Sequence, residues 1–320
     1  LGRPPGPRGA SMPLPPALAM CNPPCHLLRH ERRAELPEEC IATPSQKENV
    51  RPAMFASPLQ QLAAEAVAAA PLEDISEEAG FAPRGFTEEE RQAAWAASRF
   101  GWATAGHARP VALWIVGPSA VGKSTLAAEV GPDFGIPTSA ASNGEIGMDA
   151  VVIDGDFFRE THALYQQWVQ SEDWPAAYPA MRSIINREKD ELLETAMKRR
   201  CHLIIPHTCL DLPPCIKTME ELAEAGYTNH VLAVVAPRDE VARRGRAREQ
   251  QDGKRYASWE FDCSIAAVGP MIAACNGLFQ VLRAVIPPPG SQCGRRLLGV
   301  ELARGCGGQE VRMHEDELVS

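Results

Sequence analysis

The sequence predicts an α/β fold, in which a parallel β-sheet has helices on both faces. Apolar runs of strand length occur at residues 111–116, 150–153, 201–205 and 230–235. Segments with helical periodicity separate these runs, and a glycine-framed loop directly follows the first of them. Because strands that alternate with helices join through right-handed crossovers, we expect the strands to be parallel.

The chain is long enough for one domain of about 200 residues with extensions at both ends. Residues 1–84 form a Pro- and Ala-rich extension, which we expect to be largely disordered because proline lacks an amide donor and resists helix formation. A capping box at Thr87 and Glu90 predicts the first helix of a domain over residues 85–286. Residues 287–320 are predicted to be a flexible tail.

Two local patterns stand out within the extension. Residues 59–70 are Ala-rich and predicted to be helical. Cysteine and histidine side chains also cluster near the N-terminus with spacing within reach of zinc-binding patterns, but no predicted strand or helix frames them. These side chains are Cys21, Cys25, His26 and His30.

Composition limits the classes of partner. The formal net charge of −9 argues against a general nucleic-acid-binding or anionic-membrane surface. No apolar run approaches the roughly 18 residues of a membrane span. The 10 cysteines are scattered, without the framework of a small secreted domain. We therefore interpret them as reduced thiols in an intracellular, cytoplasmic protein.

The loop after the first strand has the pattern of a P-loop (Walker A motif), with an ordinary Gly-rich turn as the alternative. Its glycines allow backbone N–H groups to curl around phosphate oxygens, and the following helix adds a partial positive charge. Lys123 would reach the β and γ phosphates of ATP or GTP, and Ser124 would bind Mg²⁺. The predicted nucleotide-binding residues of the loop are Gly117, Ser119, Ala120, Val121, Gly122, Lys123, Ser124 and Thr125.

Two acidic residues follow the second predicted strand. Asp154 and Asp156 lie where the carboxyl end of a parallel strand meets the phosphate site. One could bind magnesium while the other accepts a proton from a substrate hydroxyl. The alternative is that one of them caps the next helix, predicted over residues 158–169.

Further candidate residues follow the third strand and the helix before it. His207 and Thr208 come at the carboxyl end of the strand and are predicted to contact substrate. Asn186, Arg187 and Asp190 lie off the apolar stripe of the helix predicted at 180–200, so they are either solvated or substrate-facing.

The densest basic cluster follows the fourth strand. A helix that starts at Pro237 carries several arginines, and residues 264–285 are predicted to form the final helix. A basic run is often a solvated face, but beside a P-loop we expect at least one arginine to neutralise a transferring phosphoryl group. The cluster comprises Arg238, Arg243, Arg244, Arg246, Arg248, Lys254 and Arg255.

Together these motifs resemble the zeta-toxin family of P-loop kinases, over about residues 85–285. The resemblance rests on the P-loop, on the segment from Val151 to His162, on Asn186-Arg187, on the strand that ends at Thr208, and on Pro237 followed by Arg248. It implies a small-molecule kinase, with Lys123 on the phosphates and Asp156 as the general base. Bacterial members phosphorylate a sugar hydroxyl of UDP-N-acetylglucosamine, so a small hydroxyl acceptor is implied as well.

The resemblance also implies roles for the basic and substrate-facing residues. Arg248, with Arg244 or Arg255, would face the phosphates, and Asp154 and Arg159 would lie at the substrate. At the acceptor end the sequence departs from the family pattern: Asp190 replaces a glutamate, Pro206-His207-Thr208 replaces a Glu-Gly-Thr type sequence, and Leu210 replaces an arginine.

Three functions therefore remain open from the sequence, of which an NTPase that moves a partner ranks last because no second ATPase module is visible. The first is a kinase that uses a nucleoside triphosphate and Mg²⁺ to phosphorylate a small-molecule hydroxyl. The second is a nucleotide-binding protein whose acceptor site has decayed and which binds a protein partner through the Pro-rich arm. Neither of these two involves nucleic acid or a membrane.

Overall fold

The computed structural model describes residues 82–140, 146–285 and 298–308. The strands in this part are β1 (Val111–Val116), β2 (Thr138–Ala140), β3 (Ile146–Met148), β4 (Val151–Val152), β5 (Leu203–His207), β6 (Thr228–Val235), β7 (Leu278–Val285) and β8 (Leu298–Cys306). The α-helices are α1 (Glu88–Ala97), α2 (Lys123–Val130), α3 (Gly155–Thr161), α4 (Ala163–Val169), α5 (Trp174–Lys198), α6 (Leu212–Glu224), α7 (Arg238–Asp252), α8 (Ser258–Ala266) and α9 (Val268–Ala274).

The main sheet has six strands in the order β4-β5-β1-β6-β7-β8. The pairs from β4 to β7 are parallel, whereas β8 pairs antiparallel with β7. Every residue of β1 is buried between its neighbours, as expected for the central strand of a parallel sheet. The predicted α/β fold is therefore confirmed, and the first strand along the chain lies at the middle of the sheet.

The first helix is held by the capping box and by one ion pair. The Thr87 hydroxyl accepts from the Glu90 amide, and the Glu90 carboxylate accepts from the Thr87 amide, which confirms the predicted cap. Arg91 on α1 makes two hydrogen bonds, of 2.7 and 3.0 Å, to the carboxylate of Glu188 on α5. Because Glu188 is only 1% exposed, this pairing fixes α1 against α5.

The predicted helix at 264–285 is wrong in its second half. Two short helices, α8 and α9, precede a break at Asn276 and Gly277, after which the chain forms the strand β7. Asn276 accepts from the amide of Asn229 at 2.7 Å, and the amide of Gly277 donates to the Asn229 carbonyl. The apolar residues of β7 then pack in the sheet rather than on a helix face.

The C-terminal segment also differs from the prediction of a flexible tail over 287–320. Residues Leu298–Cys306 form β8 and cover the edge of β7 with an antiparallel ladder, which has one register shift between Val281 and Leu282. This pairing satisfies backbone groups that an edge strand would otherwise expose. Cys306 is disulfide-bonded, so the prediction that all cysteines are reduced thiols is wrong at this position.

Two other predicted helices also have different bounds in the structure. The helix predicted at 158–169 is divided between α3 and α4 at His162, whose backbone is extended and whose Nδ1 accepts from the Tyr165 amide. Helix α5 begins at Trp174 instead of residue 180 because Pro175 lies in its first turn, where a proline is tolerated.

No helix among the described residues has the length and apolar character needed to cross a membrane. The predicted disordered segment, its helix at 59–70 and the candidate zinc side chains near residue 25 lie outside the described residues.

The break before β7 generates a stability prediction. A Cβ at Gly277 would lie 2.4 Å from the His230 ring, whereas a Cβ at Gly269 on α9 would meet nothing within 4 Å. We expect Gly277→Ala to lower the free energy of unfolding by roughly 1–3 kcal/mol, the usual cost of overpacking. Gly269→Ala, the matched control, should leave stability unchanged or slightly higher. Urea unfolding of both variants provides the measurement, and equal stabilities would contradict the packing account.

Candidate functional site

A cleft of about 720 Å³ lies at the carboxyl ends of β1, β4 and β5. This is the edge of a parallel sheet at which ligands bind in open α/β folds. Most of the residues predicted for the site line the cleft. They are Ser119, Ala120, Gly122, Lys123, Ser124, Thr125, Asp154, Asp156, Arg159, Asp190, His207, Thr208 and Arg248.

The loop between β1 and α2 has the backbone that its glycines predict. Gly117 has φ of 142° and Gly122 has φ of 106°, both in the region that favours glycine. A Cβ at Gly117 would lie 2.1 Å from the carbonyl oxygen of Val234 on β6, so only glycine fits where the loop leaves the sheet. Ala120 also has positive φ, at 62°. The loop therefore curls tightly over the end of β1.

Lys123, at the start of α2, lies inside this loop. Its Nζ donates to the carbonyl oxygens of Gly117 and Pro118, at 2.9 and 2.8 Å. Burial lowers the pKa of Lys123 to about 8, and the nearby charge of Asp154 partly opposes this shift. The ammonium group is therefore held at the centre of the loop, and its pKa of about 8 lies close to neutral pH.

The two acidic residues after β4 have different surroundings. The Asp154 carboxylate accepts from the Asp156 amide at 3.1 Å and so caps α3, which is the capping role considered from the sequence. Burial raises the pKa of Asp154, and the charge of Asp156 raises it further. The Asp156 side chain is 37% exposed and faces the cleft. Both carboxylates line the cleft, but only that of Asp154 is engaged in capping α3.

Asp156 is paired with cations from two helices. Arg159, one turn further along α3, contacts one of its oxygens, and Arg248 on α7 lies 3.7 Å from the other. Arg159 also lies over the ring of Tyr178, 5.4 Å from its centroid, and Arg248 is held by Asp252 at 2.7 Å. The carboxylate therefore sits between two guanidinium groups at the mouth of the cleft.

Arg244 supports the P-loop from the opposite side. Its Nη1 donates to the carbonyl oxygen of Val121 at 3.1 Å, and its Nε donates to Glu240 at 2.8 Å. The buried Nη2 atom has no hydrogen-bond partner among the described residues. Neither Arg244 nor Val121 lines the cleft itself, so helix α7 contacts the loop from behind.

The two basic residues after α7 differ in their position relative to the cleft. Arg255 is exposed and lies outside the cleft, contrary to the predicted contact with nucleotide, whereas Lys254 lines the cleft. Lys254 pairs with Glu260 at 3.1 Å and lies 5.5 Å from the ring centroid of Tyr178. The sequence signal that distinguishes Lys254 from Arg255 is Gly253. Its φ of 64° ends α7, and the side chain of Lys254 then turns toward the cleft.

The far end of the cleft is formed by α5 and by the loop after β5. Asp190 lies on the cleft side of α5, and burial raises its pKa. His207, Thr208 and Leu210 face it from the end of β5. Asn186, which the sequence left as solvated or substrate-facing, also lines the cleft, together with Arg182 and Lys189 of α5, to which sequence analysis did not assign a role. They recur at helical spacing along one face of α5, which is the signal that could have identified them.

These features fit a nucleoside triphosphate with Mg²⁺. The glycine-framed loop presents backbone donors, and Lys123 supplies a buried cation. Ser124 is exposed to the cleft at the start of α2, where a hydroxyl can bind Mg²⁺.

The mostly parallel sheet and the glycine-framed loop define a P-loop kinase-like fold. The sequence model of the zeta toxin family matches residues 97–275, which is more than half of the chain. The chain therefore belongs to the zeta toxin family. The resemblance seen in the sequence motifs is confirmed.

Solved structures similar to this chain have low sequence identity. One comes from the PezAT chromosomal toxin–antitoxin system of Streptococcus pneumoniae: identity is 16%, the match covers 74% of this chain and 88% of that chain, and the TM-score is 0.49. Another is an AvrRxo1-ORF1:-ORF2 structure with ATP: identity is 12%, coverage is 72% and 67%, and the TM-score is 0.45. No curated protein sequence matches the chain.

Proposed function

We propose that this protein is an ATP-dependent kinase that transfers the γ-phosphoryl group to a hydroxyl of a small molecule. The observation that carries the proposal is that Lys123, inside the P-loop, and Asp156, after β4, face the same cleft. Phosphoryl transfer requires little covalent chemistry from the protein, because positioning and charge stabilisation supply most of the catalysis. A phosphate-binding loop and a carboxylate in one cleft meet that requirement.

Each side chain has a role that its surroundings favour. ATP would supply the phosphoryl group, and Ser124 would bind the Mg²⁺ that accompanies it. Lys123 holds the phosphates, and Arg248 neutralises charge that develops on the transferring group. Asp156 orients the acceptor hydroxyl and takes its proton, since it is the more accessible of the two acidic side chains. Arg159 fixes the carboxylate in position.

The acceptor is proposed to carry phosphate groups of its own. Arg182 and Lys189 bring positive charge to the face of α5 that lines the acceptor end of the cleft, and Asn186 adds an amide. Cations at this end suit the diphosphate of a sugar nucleotide. A sugar nucleotide such as UDP-N-acetylglucosamine is therefore the first acceptor to test, with Asp190, His207 and Thr208 as candidate contacts.

The direct test is ADP release by the full chain with Mg²⁺, ATP and a panel of sugar nucleotides. We expect a member of the panel to stimulate release, and Asp156→Asn to lower that stimulated rate by roughly 100- to 10,000-fold, the usual contribution of a general base. ATP binding by the variant should persist. Asp239→Asn, which changes an exposed acid of α7 outside the cleft, is the matched control and should leave the rate unchanged.

Two outcomes would contradict the proposal. Equal stimulated rates for Asp156→Asn and the wild type would remove Asp156 from the role of base. ATP binding without stimulation by any acceptor would favour the second function, a nucleotide-binding protein that acts through a protein partner of its Pro-rich arm. Leu210, which lines the acceptor end in place of an arginine, is the observation that favours this second function.

Helix α7 offers a matched pair of arginines for a binding test. Arg243 and Arg244 both pair with Glu240, but only Arg244 is bonded to the P-loop, and Arg243 is 64% exposed. We expect Arg244→Ala to weaken ATP binding about tenfold, because the P-loop loses the hydrogen bond that holds the Val121 carbonyl oxygen in place. Arg243→Ala should bind ATP like the wild type. Calorimetric titration measures both, and equal losses would contradict the supporting role of Arg244.

The lowered pKa of Lys123 predicts a pH dependence of nucleotide binding. The pKa is about 8 without ligand, and bound phosphates would raise it, so ATP binding should take up protons near this pH. Affinity should therefore fall as the pH rises from about 7 to about 9. In Lys123→Arg the side chain stays charged throughout this range, so the fall should disappear. The same slope in both proteins would assign the effect to another group.

A further inference from the structure

Three metal-binding side chains meet beside the cleft where the chain turns from β5 into α6. His207 ends β5, Cys209 follows two residues later, and Cys215 lies in the first turns of α6. Cys209 is 1% exposed and Cys215 is 4% exposed, whereas His207 is half-buried. Both cysteines are free thiols.

The three side chains converge. Their ligand atoms all lie within 4.8 Å of one another, and His207 Nδ1 is 3.4 Å from Cys215 Sγ. Zn–S and Zn–N bonds of about 2.3 and 2.0 Å give ligand–ligand edges of about 3.5–3.8 Å in a tetrahedron. The edge from His207 to Cys215 therefore already has about the length that a tetrahedral site requires, and the remaining ligand atoms lie within 4.8 Å.

The backbone turns these side chains toward each other. Cys209 has φ of 51°, a left-handed conformation that is uncommon for a residue other than glycine. Its amide donates to His207 Nδ1 at 2.9 Å, so the lone pair of a neutral ring lies on Nδ1 and the proton on Nε2. The nitrogen that lies 3.4 Å from Cys215 Sγ is thus the one that can act as a ligand.

We propose that His207, Cys209 and Cys215 bind a thiophilic divalent cation, Zn²⁺, with a fourth position open to the cleft. Two sulfurs and one imidazole favour Zn²⁺ over the Mg²⁺ expected at the P-loop, because Mg²⁺ prefers oxygen ligands. His207 and Cys215 line the cleft, so the open position faces the acceptor end. Three protein ligands with an open fourth position are typical of catalytic zinc sites.

Binding balances as a ligand exchange. Two Zn–S bonds and one Zn–N bond replace water ligands of the hydrated ion, each of the two thiols releases its proton to solvent, and Cys215 gives up its hydrogen bond to the Asp211 carbonyl oxygen. The Cys209 amide gives up its bond to Nδ1, and water or an acceptor group takes the fourth position. Two thiolates neutralise the ion, so the site adds no net charge near Lys123. It stands independently of the proposed kinase activity.

The test is cobalt binding by the full chain, because Co²⁺ occupies tetrahedral zinc sites and reports thiolate ligands by charge-transfer absorption. Protein purified under reducing conditions is stripped with a chelator and titrated with Co²⁺, then with Zn²⁺. We expect one equivalent of thiolate-bound Co²⁺, which Zn²⁺ displaces. Cys209→Ser and Cys215→Ser should lose this absorption, and His207→Asn should weaken binding by at least roughly tenfold.

Two control variants separate this site from other thiols. Cys263→Ser alters a buried free cysteine on α8 that does not line the cleft, so its cobalt spectrum should match the wild type. The double variant Cys21→Ser/Cys25→Ser removes the cysteines of the N-terminal pattern, and the cleft equivalent should persist. Circular dichroism melts verify that each variant is folded. If a cysteine variant unfolds, His207→Asn tests the site instead, because His207 is only half-buried.

Three results would overturn the proposal. The first is a wild-type protein without thiolate-bound Co²⁺ although its thiols are reduced. The second is absorption that survives in folded Cys209→Ser, Cys215→Ser and His207→Asn. The third is absorption lost in the Cys21→Ser/Cys25→Ser variant, which would assign the thiolate site to the N-terminal segment.

Discussion

The close approach of Gly117 to the carbonyl oxygen of Val234 is the constraint on which the site depends. The loop leaves β1 with almost no space between it and β6, so its turn must be made there by a glycine with positive φ. This turn carries the chain over the end of the central strand and starts α2 at Lys123. The neighbouring parallel strand β5, and β4 beyond it, deliver their side chains to the same edge.

The charges of the cleft form a linked set around that loop. Lys123 is buried within it, Asp156 lies between Arg159 and Arg248, and Lys254 is held by Glu260. Each of these four cations has a protein partner without ligand, and an incoming triphosphate would compete with carboxylates and carbonyl oxygens for them. The protein partners hold these cationic side chains in place without ligand, in a chain whose net charge is negative.

The sequence predicted the parts of this structure that follow from local patterns. The P-loop, the capping box at Thr87 and the carboxylates after β4 were found because spacing and strand order determine them. It did not predict β7, since a run of apolar residues at 278–285 suits helix and strand alike, and the pairing with β6 and β8 decides. The strand β8 and the choice of Lys254 over Arg255 likewise depend on tertiary contacts.

The most direct measurement of the central claim is a crystal structure of the full chain with Mg²⁺ and a non-hydrolysable ATP analogue. The account predicts that the triphosphate lies in the loop from Gly117 to Thr125, that Lys123 leaves its loop carbonyl oxygens for the phosphates, and that Asp156 faces the γ-phosphate. A nucleotide bound elsewhere, or one whose γ-phosphate lies beyond reach of both Lys123 and Asp156, would contradict the account.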